Sequence, residues 1–199
     1  MKYTLPTLAL AATALAAPTN IAPPAFKITN VVSGGSGCPQ GSIDVSWTDS
    51  KVLPIYFTQA FTAKTGPSTD ITLSRKNCQL TLALSFTPGY SFSLLSADYT
   101  GYGDLDAGIT GVVKSTYYFS GDKDQTSTTL TVPGPFKGRY YKNDDVGVSV
   151  WSECGGEAAL NVNSEVALSP LGAAGSGVLA QTKESARVSS SLFVQWRKC

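Results

Sequence analysis

The stretch from Asp98 to Gly111, Asp-Tyr-Thr-Gly-Tyr-Gly-Asp-Leu-Asp-Ala-Gly-Ile-Thr-Gly, holds the densest set of groups able to do chemistry. Three carboxylates, Asp98, Asp104 and Asp106, stand among four glycines and two tyrosines. Oxygen ligands on a glycine-flexed loop suit Ca²⁺, so these three are the candidate metal ligands, although their spacing is not that of an EF-hand loop. Aromatic faces stack on flat or apolar ligands, sugar rings among them. Tyr99 and Tyr102, with Asp104 and Asp106, are therefore the candidate ligand-binding residues. A plainer reading, which the stretch favours, is a wide β-connection. Its glycines would supply positive φ and its aspartates would cap turns.

Paired carboxylates can hydrolyse glycosidic bonds. Glu165, on the polar side of an alternating run, could join the acidic stretch in a cleft. The pairs Asp122/Asp124 and Asp144/Asp145, flanked by Lys123 and Lys142, read as solvated turn tips. There is no histidine among the 199 residues. That excludes a Ser-His-Asp triad, a Cys-His dyad, His-ligated zinc and imidazole acid–base chemistry. No catalytic residue is assigned, no cofactor is expected, and the balance is against an enzyme.

Net charge is +1, and the basic clusters Arg75-Lys76 and Arg197-Lys198 are too short to attract a phosphate backbone or an anionic lipid surface. No nucleic-acid partner is expected. Beyond the N-terminus no apolar run approaches the ~20 residues of a membrane span.

These groups need elements to position them, and period-two alternation supplies strands. Ile43, Val45 and Trp47 alternate with polar residues, as do Leu80–Phe86, Val146–Val150, Leu160–Leu168 and Leu192–Trp196. Less regular runs lie at Phe26–Val32, Leu53–Ala63, Ser91–Ala97, Gly111–Phe119, Ser127–Val132 and Lys137–Tyr141. Turn chemistry separates them at Thr65-Gly66-Pro67, Thr87-Pro88-Gly89, Ser120-Gly121-Asp122 and Val132-Pro133-Gly134-Pro135. Residues 178–187 read as a short helix or a further strand. Many one-sided strands must bury their apolar faces against one another. The expected fold is an all-β antiparallel sandwich of about nine or ten strands. In the adjacent pairs Tyr117/Tyr118 and Tyr140/Tyr141, one ring should face the core and the other should cover a strand edge.

Lys2, the apolar run Leu5–Leu15 and the Ala14-Leu15-Ala16 pattern read as a signal peptide over residues 1–17. A Pro/Gly-rich lead-in follows over 18–34, and a single domain spans 35–199. Secretion then accounts for four cysteines without a Cys-x-x-Cys pair. Cys38, Cys78, Cys154 and Cys199 should form two disulfides. Cys38–Cys78 with Cys154–Cys199 is favoured, closing loops worth about 4 kcal/mol each on a chain-entropy basis. Cys38–Cys199 with Cys78–Cys154 remains open. A disulfide at Cys199 would pin a terminal strand that otherwise frays.

Four segments together carry a resemblance. They are Gly35-Ser-Gly-Cys-Pro-Gln-Gly41, Ser74-Arg-Lys-Asn-Cys-Gln-Leu80, Ser115-Thr-Tyr-Tyr-Phe-Ser-Gly121 and Gln195-Trp-Arg-Lys-Cys199. The set resembles a family of small secreted four-cysteine proteins, mostly fungal with some bacterial members, known only as a domain of unknown function. The stretch Asp98–Gly111 and Trp151-Ser-Glu-Cys-Gly155 are similar to the same family. The resemblance implies a secreted β domain, and it implies no reaction, cofactor or catalytic residue.

The expected function is a secreted, monomeric, non-enzymatic interaction protein, a candidate host-directed effector or elicitor acting on a host surface protein. The alternatives are a cell-wall glycan-binding module and, behind it, a carboxylate-based glycan hydrolase.

Overall fold

A computed structural model describes residues 25–45, 52–145, 150–172, 174–179 and 189–199. The expected signal peptide, residues 18–24 of the lead-in, Trp47, Val146, Val148 and most of the 178–187 segment lie outside the described residues.

The described chain is antiparallel β with one short 3-10 turn, Ile71–Ser74. Its strands are β1 (Phe26–Gly34), β2 (Asp44–Val45), β3 (Val52–Tyr56), β4 (Ala63–Thr65), β5 (Arg75–Leu105), β6 (Thr110–Phe119), β7 (Gln125–Pro133), β8 (Phe136–Asp145), β9 (Gly155–Ser169), β10 (Gly177–Leu179) and β11 (Ser189–Lys198). The organising element is β5, whose 31 residues serve both layers of the sandwich. Its first half pairs with β1 on one side and β9 on the other, and β9 leads on to β6 and β7. Its second half pairs with β11 and β8, and β11 leads on to β3 and β2. The short β10 joins the end of β5 to β4.

Two sequence expectations change here. Thr87-Pro88-Gly89 does not end a strand: Gly89 takes a φ of +87° and the chain continues through an irregularity, with Tyr90 opposite Gly155. Asp98–Gly111 is not a wide loop either. Residues up to Leu105 belong to β5, and Thr110 already opens β6.

Alternation decides which side chains are buried. Leu80, Leu82 and Leu84 point inward in the first half of β5, and Ala97, Tyr99 and Leu105 in the second. The parity flips because β11 skips Leu95: Phe193 lies opposite Ser96 and Val194 opposite Leu94. One extra residue in a bulge moves every later side chain to the other face. Between the layers, Phe92 meets Phe119 edge-on at 4.8 Å, and Trp196 packs on Phe86 and Phe92 at 5.2 Å each.

The disulfides are Cys38–Cys78 and Cys154–Cys199, with Cα–Cα distances of 5.2 and 6.0 Å. The first is wholly buried and the second lies at the surface.

Tyr140 is buried beneath Gly101, and its hydroxyl has no hydrogen-bond partner among the described residues. Burial, with Tyr99 nearby, holds its phenol far above the ordinary tyrosine range. The unfolded chain ionises this phenol near pH 10 while the folded chain keeps it protonated. Its contribution is therefore intact below pH 10 and lost as pH rises beyond it. Tyr140→Phe should flatten the fall in stability above pH 10 and leave neutral-pH stability equal or up to about 1 kcal/mol higher. Urea melts at pH 7 and pH 11 check this.

Candidate functional site

The inward positions of β5 and β8 are committed to the core. Tyr99 is 2% exposed, and the Tyr117 hydroxyl donates to its own at 2.9 Å. Lys142 is buried too, with Nζ donating to Thr128 Oγ1 at 2.7 Å and lying 4.9 Å from the Tyr99 ring centroid. Tyr99 is thus a core residue on the face opposite Tyr102, and Lys142 is no turn-tip lysine. The turn at Asp122 fits its expectation, with the Asp124 amide donating to the Asp122 carboxylate.

The outward positions make the candidate site. On β5 these are Asp98, Thr100, Tyr102 and Asp104, which sit opposite Asn143, Tyr141, Arg139 and Lys137 of β8. Tyr141 is 60% exposed, the most exposed aromatic side chain among the described residues. Interaction with the Asp98 carboxylate holds its phenol pKa above the usual value. Asn143 donates to the same carboxylate through Nδ2. Lys137 Nζ donates to Asp104 Oδ2 at 2.7 Å, and this bond, with Tyr102 and Asp106 adding smaller charge effects, raises the lysine pKa. Tyr102, Asp104 and Asp106 therefore gather at the end of β5 around Lys137. Asp106 has left the strand: its Oδ2 accepts from the Ser176 amide at 2.7 Å and stabilises the turn into β6.

Asp98 and Asp104 are six positions apart on an extended strand, about 20 Å. Among the described residues no three His, Cys, Asp or Glu side chains converge as a metal site. Glu165 lies on the outer face of the other layer, in an ion pair with Arg75, and does not join the acidic residues of β5. What this arrangement offers is a flat face with two diagonal tyrosines, Tyr102 and Tyr141, about 7–8 Å apart. Carboxylate, amide and guanidinium groups surround them. Arg139, Asn143 and Lys137 are the members that sequence reading missed. The signal for them was the alternation on β8, which becomes informative only once its register against β5 is known.

Comparison with known proteins adds the following. A family model described as "Domain of unknown function (DUF4360)" matches residues 24–199. An uncharacterized secreted protein of Arthroderma benhamiae is 38% identical over 180 residues, which is 89% of this chain and 73% of that protein. Among solved structures, TmCBM61 in complex with β-1,4-galactotriose aligns at 9% identity and a TM-score of 0.30, covering 87% of this chain and 91% of that one. The enzymatically active domain of bacteriophage CBA120 tailspike protein 4 aligns at 11% identity and 0.26, covering 87% of this chain and 20% of that one. A family 11 carbohydrate-binding module from Clostridium thermocellum, in complex with a mixed-linked tetrasaccharide, aligns at 8% identity and 0.24, covering 83% and 89%. Scores this low leave the function to be read from the chain's own surface.

Proposed function

Because the chain belongs to the family described as a domain of unknown function (DUF4360), a membership that names no reaction, we propose its function from the outer face of β5 and β8: it binds a neutral polysaccharide. The protein is secreted and disulfide-bonded. The observation that carries the reading is the outward pair Tyr102 and Tyr141, set diagonally on paired strands with Tyr141 largely exposed. Sugar rings present apolar C–H faces that stack on aromatic rings, while their hydroxyls take hydrogen bonds from the groups around them. Asp98, Asn143 and Arg139 stand at that rim.

The test is retention on insoluble chitin, cellulose and β-glucan, with affinity electrophoresis on soluble β-glucan. Tyr141→Ala should weaken retention about tenfold or more at an unchanged melting temperature. Tyr118→Ala, on the outer face of the other layer, should change nothing. Undiminished retention by Tyr141→Ala, or no retention of the unmodified protein on any polymer, overturns the reading. Failure on every polymer would return a host-protein target, as an effector or elicitor, to first place.

A further inference from the structure

We propose that the glycan-binding face is one end of a longer track, built for an extended chain of neutral polysaccharide, whose far anchor is the stacked pair Trp151 and Arg197. This rests on the glycan reading above and adds the length of substrate it takes and its second subsite.

The outward positions continue along β5 past the tyrosine pair. Phe193 of β11 is half-exposed opposite Ser96, and Leu95, squeezed out by the bulge, is 42% exposed beside it. Beyond them Trp151 sits opposite Ser93, and the Arg197 guanidinium lies 4.2 Å from the centre of its ring. From Ser93 to Asp104 is eleven strand positions, about 35 Å. Tyr102, Tyr141, Phe193 and Trp151 thus lie on β5 or directly beside it, all on the outward face of one layer.

The far anchor is built rather than incidental. Ser91 and Ser93 are fully buried on positions that would otherwise face solvent. Their hydroxyls donate to the carbonyls of Ser152 and Val150 at 2.6 and 2.7 Å. The Ser152 amide donates to the Phe92 carbonyl at 2.8 Å. The backbone on both sides of Trp151 is therefore clamped to β5. The indole in turn carries the Arg197 guanidinium over its ring, and the guanidinium N–H groups can donate to a hydroxyl.

Charge selects the occupant. At outward positions of β5, β8 and β11, the carboxylates Asp98, Asp104 and Asp145 stand against the cations Lys137, Arg139 and Arg197, three of each sign. A polyanion would meet Asp98, Asp104 and Asp145, and a polycation would meet Lys137, Arg139 and Arg197. A neutral chain meets neither penalty.

The experiment is calorimetry with neutral oligosaccharides, di- to octasaccharide, of the polymer the protein retains. The octasaccharide should bind about tenfold or more tighter than the trisaccharide, because the second subsite engages intramolecularly. Trp151→Ala and Arg197→Gln should each abolish that gain and leave trisaccharide affinity and the melting temperature unchanged. Trp151→Phe serves as the variant that keeps a ring. Affinity that ignores chain length yet still falls in Tyr141→Ala overturns the track and leaves the glycan reading standing. Tighter binding of a polyuronate than of the neutral chain also overturns the track. No binding at any length fails both.

Discussion

Gly101→Ala is expected to remove about 3 kcal/mol of stability, at the upper end of ordinary overpacking, and to lower the melting temperature by about 10 °C. Gly101 sits at an inward position of β5, directly over the Tyr140 ring. A Cβ there would overlap Tyr140 Oη and Cζ, well inside the 3.0 Å that real Cβ atoms keep. Tyr140 has nowhere to go, because it is buried on β8 opposite this very position. Tyr140→Phe in the same chain should restore little, since the ring carbon still collides. Tyr140→Leu with Gly101→Ala should recover a substantial part, being shorter. Thermal melts of these three variants beside the unmodified protein decide this. If Gly101→Ala alone is within 1 kcal/mol of the unmodified protein, the β5–β8 packing described above is wrong.

The second large effect concerns the disulfides. Their loops close 40 and 45 residues, so chain entropy assigns each about 4 kcal/mol. Burial separates them. Cys38 and Cys78 are wholly buried, whereas Cys154 and Cys199 are exposed. Mild reductant without denaturant should open Cys154–Cys199 first, and mass spectrometry after alkylation would show carbamidomethyl groups on Cys154 and Cys199 alone. Replacing Cys38 and Cys78 together by Ala should cost about 4 kcal/mol or more, because a filled core site is emptied as well. Equal labelling of all four cysteines under those conditions would contradict the difference in access.

Much of this was legible in the chain. Alternation is a local signal, so Leu80–Phe86, Leu160–Leu168 and Leu192–Trp196 announced strands and their buried sides. The tyrosine pairs split as period two demands: Tyr117 and Tyr140 are inside, Tyr118 and Tyr141 outside. The disulfide pairing followed the favoured order. What could not be read depended on partners distant in sequence. The parity flip at Leu95 is set by β11, roughly a hundred residues on. That flip sends Tyr99 inward and Tyr102 outward, although composition treated them alike. Thr87-Pro88-Gly89 has the local chemistry of a turn, yet flanking strands carry the backbone through it, with the Cys199 amide donating to the Gly89 carbonyl at 2.9 Å. Arg139 and Asn143 drew no notice as isolated residues. They acquire meaning only from the register that sets them against Tyr102 and Asp98.

A strand shared by both layers also dictates the order of assembly. β5 is made early, but its neighbours arrive from both directions, and β11, which lies between β3 and β5, comes last. Until β11 arrives, the second half of β5 has one open flank and the aromatic cluster lacks Trp196. Pairings this remote make for slow folding. A partly synthesised chain therefore lacks the strand that completes this layer. The bond between Cys154 and Cys199 then acts as a latch that closes only on a finished sheet.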